Sequence, residues 1–187
     1  MIGNRRGSKL CVQTFRRPLP WILLTTVAAF PGLAPVLATS SRPTEAVSRE
    51  WSACKTVTDS RQEGDNQMIN ATVAANFKGM MNGACEAAER ETLRKDGTLS
   101  FSGSGTFTGE INGHSGTAIL TYSGTVDQKG VMTAHWVLDK GTDDLARIDG
   151  QGTIEGKQTH GRADGCDDSE SQSGWSGTYT AAVQFPK

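Results

Sequence analysis

No apolar run in this chain is long and unbroken enough to cross a membrane as a helix. The longest, residues 21–38, is interrupted by Pro31 and Pro35, whereas a stable span needs about 20 apolar residues in succession. Acidic residues are missing altogether before Glu45. Lysine and arginine never cluster after residue 38: five of the 19 (Arg5, Arg6, Lys9, Arg16 and Arg17) precede that point, leaving 14 against 20 acidic residues, a net of about −6 by formal count. Nucleic acid needs grouped cations that displace its counterions, so it is excluded as a partner. Cysteine is scarce too. With Cys11 in the basic N-terminal stretch, only Cys54, Cys85 and Cys166 remain for the rest of the chain, enough for one bridge.

What is present begins with an export signal. A basic flank, an apolar stretch and small residues at Val36 and Ala38 read as a signal peptide over 1–38, cleaved after Ala38. The expected address is secreted or periplasmic, with no membrane span left after cleavage. The remaining ~150 residues suit a single domain. Residues 39–68 are polar and irregular, with one strand expected near Lys55 to Thr58 and a turn at Glu63-Gly64-Asp65-Asn66, so the sequence divides into a lead-in over 39–68 and a domain over 69–187. In an oxidising compartment one disulfide is expected through Cys166, which lies in an irregular loop in need of restraint; Cys54 and Cys85 are both open as its partner.

From residue 70 onward the apolar residues alternate with polar ones, the period of strands with one dry face. Ala71, Val73, Ala75 and Phe77 set the first such face, and Asn82-Gly83 predicts a hairpin turn after it. Residues 86–95 carry a conflict, since Glu-Ala-Ala-Glu-Arg-Glu followed by Asp96-Gly97 has helical propensity with a glycine stop. Next, Leu99, Phe101, Gly103, Gly105 and Phe107 oppose Ser100, Ser102, Ser104, Thr106 and Thr108. Asn112-Gly113 and Gln128-Lys129-Gly130 turn the chain between strands bearing Ala118, Leu120 and Tyr122, then Met132, Ala134, Trp136 and Leu138. A further strand places Ala146, Ile148, Gly150, Gly152 and Ile154 inward. The last places Trp175, Gly177, Tyr179, Ala181, Val183 and Phe185 inward.

About eight short strands joined by tight turns predict an all-β fold, a small closed antiparallel meander barrel, because closure removes the exposed edges of such a sheet. A sandwich is the alternative. The succession Asp96-Gly97-Thr98, Phe101-Ser102-Gly103, Phe107 to Thr117, Tyr122-Ser123-Gly124-Thr125, Trp136 and Gly177-Thr178-Tyr179 resembles the bacterial family called domain of unknown function 3224. Members of that family share an eight-stranded meander barrel of the type first associated with plant allene oxide cyclase. The resemblance covers residues 70–187 and implies that 86–95 is a strand. It carries no site residues across. The leader and the long loop over 155–174 depart from the family pattern and suggest an extracytoplasmic variant.

Familiar catalytic arrangements are not met. Gly113-His114-Ser115-Gly116 joins two strands rather than forming a nucleophile elbow between strand and helix. Gly103-Ser104-Gly105 and Gly150-Gln151-Gly152 lie inside strands with no helix to follow, so no dinucleotide site is expected. His160, Asp164, Cys166, Asp167 and Asp168 share one loop but show no metal-ligand spacing, and a solvated acidic loop is the expectation. No cofactor is implied. His135 alternates with inward Ala134 and Trp136 and therefore faces out, while Glu89, Glu91, Tyr122 and Tyr179 are the groups whose parity could bring them to an interior.

Two functions of different class follow. In the first, Phe101, Phe107, Leu120, Tyr122, Trp136, Trp175 and Tyr179, with Phe185, line a pocket for a small apolar molecule, as an eight-stranded barrel can. The second is a cyclase- or isomerase-like enzyme that steers a lipid-derived substrate in the same cavity, and this rests on fold analogy alone. A purely structural domain with a filled core competes with both.

Overall fold

A computed structural model of the chain describes residues 44–45, 49–159, 166 and 171–185. The expected leader and the loop candidates His160, Asp164, Asp167 and Asp168 lie outside the described residues.

Ten strands make one antiparallel sheet: β1 (Thr44–Glu45), β2 (Arg49–Glu63), β3 (Asn66–Lys78), β4 (Met81–Leu93), β5 (Leu99–Ile111), β6 (His114–Val126), β7 (Val131–Asp139), β8 (Asp149–Gln158), β9 (Gln172–Tyr179) and β10 (Ala182–Gln184). From β2 to β8 each strand pairs with the next in sequence, and β9 pairs with both β8 and β2, closing eight strands into a ring. A 3-10 turn, Asp143–Leu145, tucks Leu145 into the interior. β10 continues the ladder of β9 along β8: Tyr179 faces Ile154 and Ala182 faces Gln151. Between them the Thr180 amide donates to the Thr153 carbonyl at 2.9 Å. The predicted final strand is therefore two short ones in a common register.

Alternation along each strand sorts the side chains as expected. On β5, Phe101, Phe107 and Ile111 are buried while Ser102, Ser104, Thr106 and Thr108 are exposed. Residues 86–95 contribute to a strand, and their helical propensity yields to the ladders on both sides, which pair β4 with β3 and β5 along nearly its whole length. Trp136 and Trp175, at 2% and 7% exposure, point inward.

Four features differ from the sequence reading. The sheet reaches well before residue 69, because the short strand expected near Lys55 extends over fifteen residues, Arg49–Glu63, and carries a bulge between Val57 and Asp59. Asn82-Gly83 does not turn the chain. The turn is at Gly79, whose φ of +109° suits glycine. Gly83 instead sits within β4 opposite Gly109, where an added Cβ would come within 2.8 Å of the Gly109 Cα, so this glycine permits close strand approach. Ala146 is exposed after the 3-10 turn and Leu145 takes the inward place. Strand β8 also runs to Gln158, shortening the predicted loop. Asn112-Gly113, by contrast, forms the expected hairpin, with φ of +50° and +85°.

One half of the interior is filled. Phe77 meets Phe107 and Tyr179 edge-on with ring centroids 6.2 and 5.6 Å away, and Met81, Phe107, Ile111 and Leu145 have no exposed surface. The Tyr179 hydroxyl accepts from the Met81 amide at 2.8 Å and lies 3.2 Å from the Lys78 carbonyl, to which it donates. It thus fastens the β3–β4 turn to β9.

On the outer face Cys54 bonds to Cys166, with Cα atoms 5.2 Å apart. Parity decides the pairing: Cys85 faces inward and is a free buried thiol. Cys54 points out of β2 next to Gly174 of β9. The bridge spans 112 positions, so Cys166→Ser should cost about 2–4 kcal/mol, read as a lower urea midpoint under non-reducing conditions. Tyr179→Phe leaves the buried Met81 amide without its acceptor and should cost about 1–3 kcal/mol by the same measurement.

Candidate functional site

The other half of the barrel is not filled. Four inward positions there are alanine (Ala53, Ala75, Ala87 and Ala134), and between them lies a cavity of about 50 Å³. Its apolar wall includes Trp51, Val73, Phe77, Phe101, Leu120, Met132, Ile154 and Trp175, and its polar wall is Lys55, Glu89 and Tyr122, with the Cys85 thiol among the apolar groups. Every strand from β2 to β9 contributes to this lining.

The polar groups reach the interior through strand parity. Trp51, Ala53 and Lys55 alternate inward on β2, as do Cys85, Ala87, Glu89 and Glu91 on β4, and all are buried. The Lys55 ammonium donates to Glu91 Oε1 at 2.5 Å. It also sits 5.2 Å from the centre of the Trp175 ring, within cation–π range. Among the described residues Lys55 has no other hydrogen-bond partner than Glu91, although an ammonium carries three donors.

Glu89 lies beside this ion pair. Burial pushes its carboxyl up to about 8, helped by the neighbouring Glu91 carboxylate, which accepts a hydrogen bond from the protonated form, and opposed by the Lys55 charge. Two carboxylates in a dry space cannot both ionise cheaply, and here Glu91 takes the cation while Glu89 keeps its proton. Near neutral pH the Lys55, Glu91 and Glu89 groups therefore sum to no net charge.

Tyr122 completes the cluster from β6. Glu89, Gly103 and Tyr122 stand side by side across β4, β5 and β6. A Cβ on Gly103 would lie 2.4 Å from the Tyr122 hydroxyl, so the absent side chain gives the phenol its place. The hydroxyl is buried and makes no hydrogen bond of good geometry. Burial, then the charge of nearby Glu89, keeps it un-ionised at any ordinary pH. Cys85 is likewise pushed up to about 11, by burial and by Glu86, which leaves a protonated, inert thiol.

Of the residues expected to line a pocket, Phe101, Leu120, Tyr122 and Trp175 do so. Phe107 and Tyr179 belong to the filled half. Trp136 packs over Gly152, where an added Cβ would approach its ring to 2.6 Å, and among the described residues its indole N–H has no hydrogen-bond partner. Phe185 is half-buried and stacks on His114 with centroids 4.0 Å apart, away from the cavity. Lys55 went unread in the sequence. The alternation Trp51-x-Ala53-x-Lys55 could have exposed it, but the polar stretch and the bulge that follow hide the strand. Glu89 and Glu91 have the parity that the sequence reading gave them, and both are buried.

Comparison with known proteins agrees with the architecture. A family model described as "Protein of unknown function (DUF3224)" matches residues 50–163. A solved structure from Shewanella oneidensis MR-1, titled a protein with unknown function from the DUF3224 family, superposes with a TM-score of 0.58 at 14% identity, covering 78% of this chain and 99% of that one. No curated protein matches.

The buried carboxyl has a measurable signature. A folded-state value near 8 against an ordinary 4.5 means that Glu89 holds its proton more tightly folded than unfolded. Its stabilising effect is complete below about pH 4.5 and is lost as pH rises through about 8. The urea midpoint should accordingly fall across that window, and Glu89→Gln should flatten this part of the profile. An unchanged slope in the variant would assign the loss to other groups.

Proposed function

We propose that this chain, which belongs to the DUF3224 family, is an exported binding protein that holds a small, largely apolar molecule in the open half of its barrel. The observation that carries the reading is the pairing of an unfilled, alanine-lined cavity with three polar side chains, Lys55, Glu89 and Tyr122, at its wall. A barrel built only for stability would gain by replacing the buried Lys55–Glu91 pair with apolar residues of similar volume. Polar groups placed in an apolar concavity are what a ligand site needs to orient its guest.

Size limits the guest. Engineered cavities of about 150 Å³ take up benzene, so about 50 Å³ encloses a guest smaller than benzene or only the end of a longer chain. Export is supported by the leader-like segment 1–38 together with the Cys54–Cys166 bridge, since disulfides persist in oxidising compartments.

The raised carboxyl of Glu89 supports a second reading, an isomerase-like enzyme acting on an apolar substrate, because a general acid near neutral pH works best with this kind of value. Binding is the better supported of the two. Proton transfer needs a base as well as an acid, and the nearest carboxylate, Glu91, is occupied by Lys55.

Trp51 and Trp175 in the cavity wall report occupancy. Titration with short-chain apolar compounds should change tryptophan emission and saturate. Ala75→Leu, which pushes three carbons into the void, should abolish the response while leaving the far-ultraviolet spectrum intact. A response that survives this filling would place the ligand elsewhere.

A further inference from the structure

Resting on that binding reading, we propose that the cavity selects an uncharged ligand with a hydrogen-bond acceptor, a ketone or ester carbonyl on an aliphatic chain, held by the Lys55 ammonium, and discriminates against chains headed by a carboxylate.

The first ground is an unmet donor. Lys55 is 9% exposed and lines the cavity, yet only Glu91 accepts from its three N–H groups. The Trp175 ring face takes part of the charge, and at least one donor remains for an acceptor inside the cavity. Glu89 does not compete for the guest's oxygen, because its protonated carboxyl donates its hydrogen bond to Glu91.

The second ground is charge. The titratable groups facing the cavity or its ion pair are Lys55 from β2, Cys85, Glu89 and Glu91 from β4, and Tyr122 from β6; β3, β5, β7, β8 and β9 add none to its wall. Cys85 and Tyr122 stay protonated, Lys55 and Glu91 cancel, and Glu89 is neutral below about pH 8. A ligand carboxylate would therefore enter as an uncompensated charge beside Glu91, at a heavy desolvation penalty. A carbonyl oxygen meets the same ammonium without that penalty. Above about pH 8 Glu89 ionises and offers Lys55 a second carboxylate, which displaces the carbonyl.

The test uses the full chain and three matched chains, heptan-2-one, heptanoate and heptane, titrated by tryptophan emission and calorimetry at about pH 6 and about pH 9. At the lower pH heptan-2-one should bind roughly tenfold tighter than heptane and at least roughly tenfold tighter than heptanoate. The ketone's advantage over heptane should shrink severalfold at the higher pH. Because Lys55→Met alone strands Glu91, the variant used is K55M/E91Q, which removes both charges together; it should lose the preference for the ketone over heptane. Heptanoate binding as tightly as the ketone, or a ketone preference that survives in the double variant, would overturn the proposal and leave the binding reading standing. Failure of all three chains to bind would remove both.

Discussion

The closure of one antiparallel sheet upon itself is the constraint on which the rest of this molecule depends. Strand β9 hydrogen-bonds to β2 on one side and to β8 on the other, so the ring from β2 to β9 has no free edge. Once the ring is shut, alternation sends half of the side chains into a fixed volume, and their sizes decide what that volume becomes. Around the Gly79 and Asn112-Gly113 turns, Phe77, Met81, Phe107, Ile111 and Tyr179 fill it. Where Ala53, Ala75, Ala87 and Ala134 converge the same geometry leaves a void.

Into that void the chain puts charges, which follow from stoichiometry as much as from geometry. One cation and two carboxyls would leave a surplus negative charge in a dry space. The surplus is removed by a proton on Glu89, at a cost to stability that grows as the solution becomes basic. Gly103 belongs to the same arrangement, since its missing side chain lets Tyr122 lie against the carboxyl. The cluster is thus assembled from the adjacent strands β4, β5 and β6, from β2 beyond β3, and from the closing strand β9 behind Lys55, and it exists only when the barrel is complete.

Most of the architecture was legible because alternation is a local property. Phe101, Phe107, Leu120, Trp136, Trp175 and Tyr179 point inward as their positions require. The misreadings arose where local chemistry and the closed sheet disagree. Asn82-Gly83 has the composition of a turn, yet here glycine serves close approach between β4 and β5. The segment after Cys85 has helical composition, yet pairing on both flanks keeps it extended. The division of the interior into filled and empty halves was not legible at all. It depends on which residues share a level of the barrel, and that follows from strand stagger rather than from any one strand. Lys55 illustrates the same limit, since its partner Glu91 lies 36 positions away.

The Cys54–Cys166 bridge has a topological meaning beyond its contribution to stability. The covalent circle it closes contains most of β2 and all of β3 to β8, leaving β1, the start of β2, β9 and β10 beyond it. A protease that severs any one hairpin inside the circle releases no fragment, because both new ends stay tethered through sulfur. Tension applied at the two termini would likewise bypass the enclosed strands and fall on β1, the start of β2, β9 and β10, so those elements form the molecule's mechanical fuse.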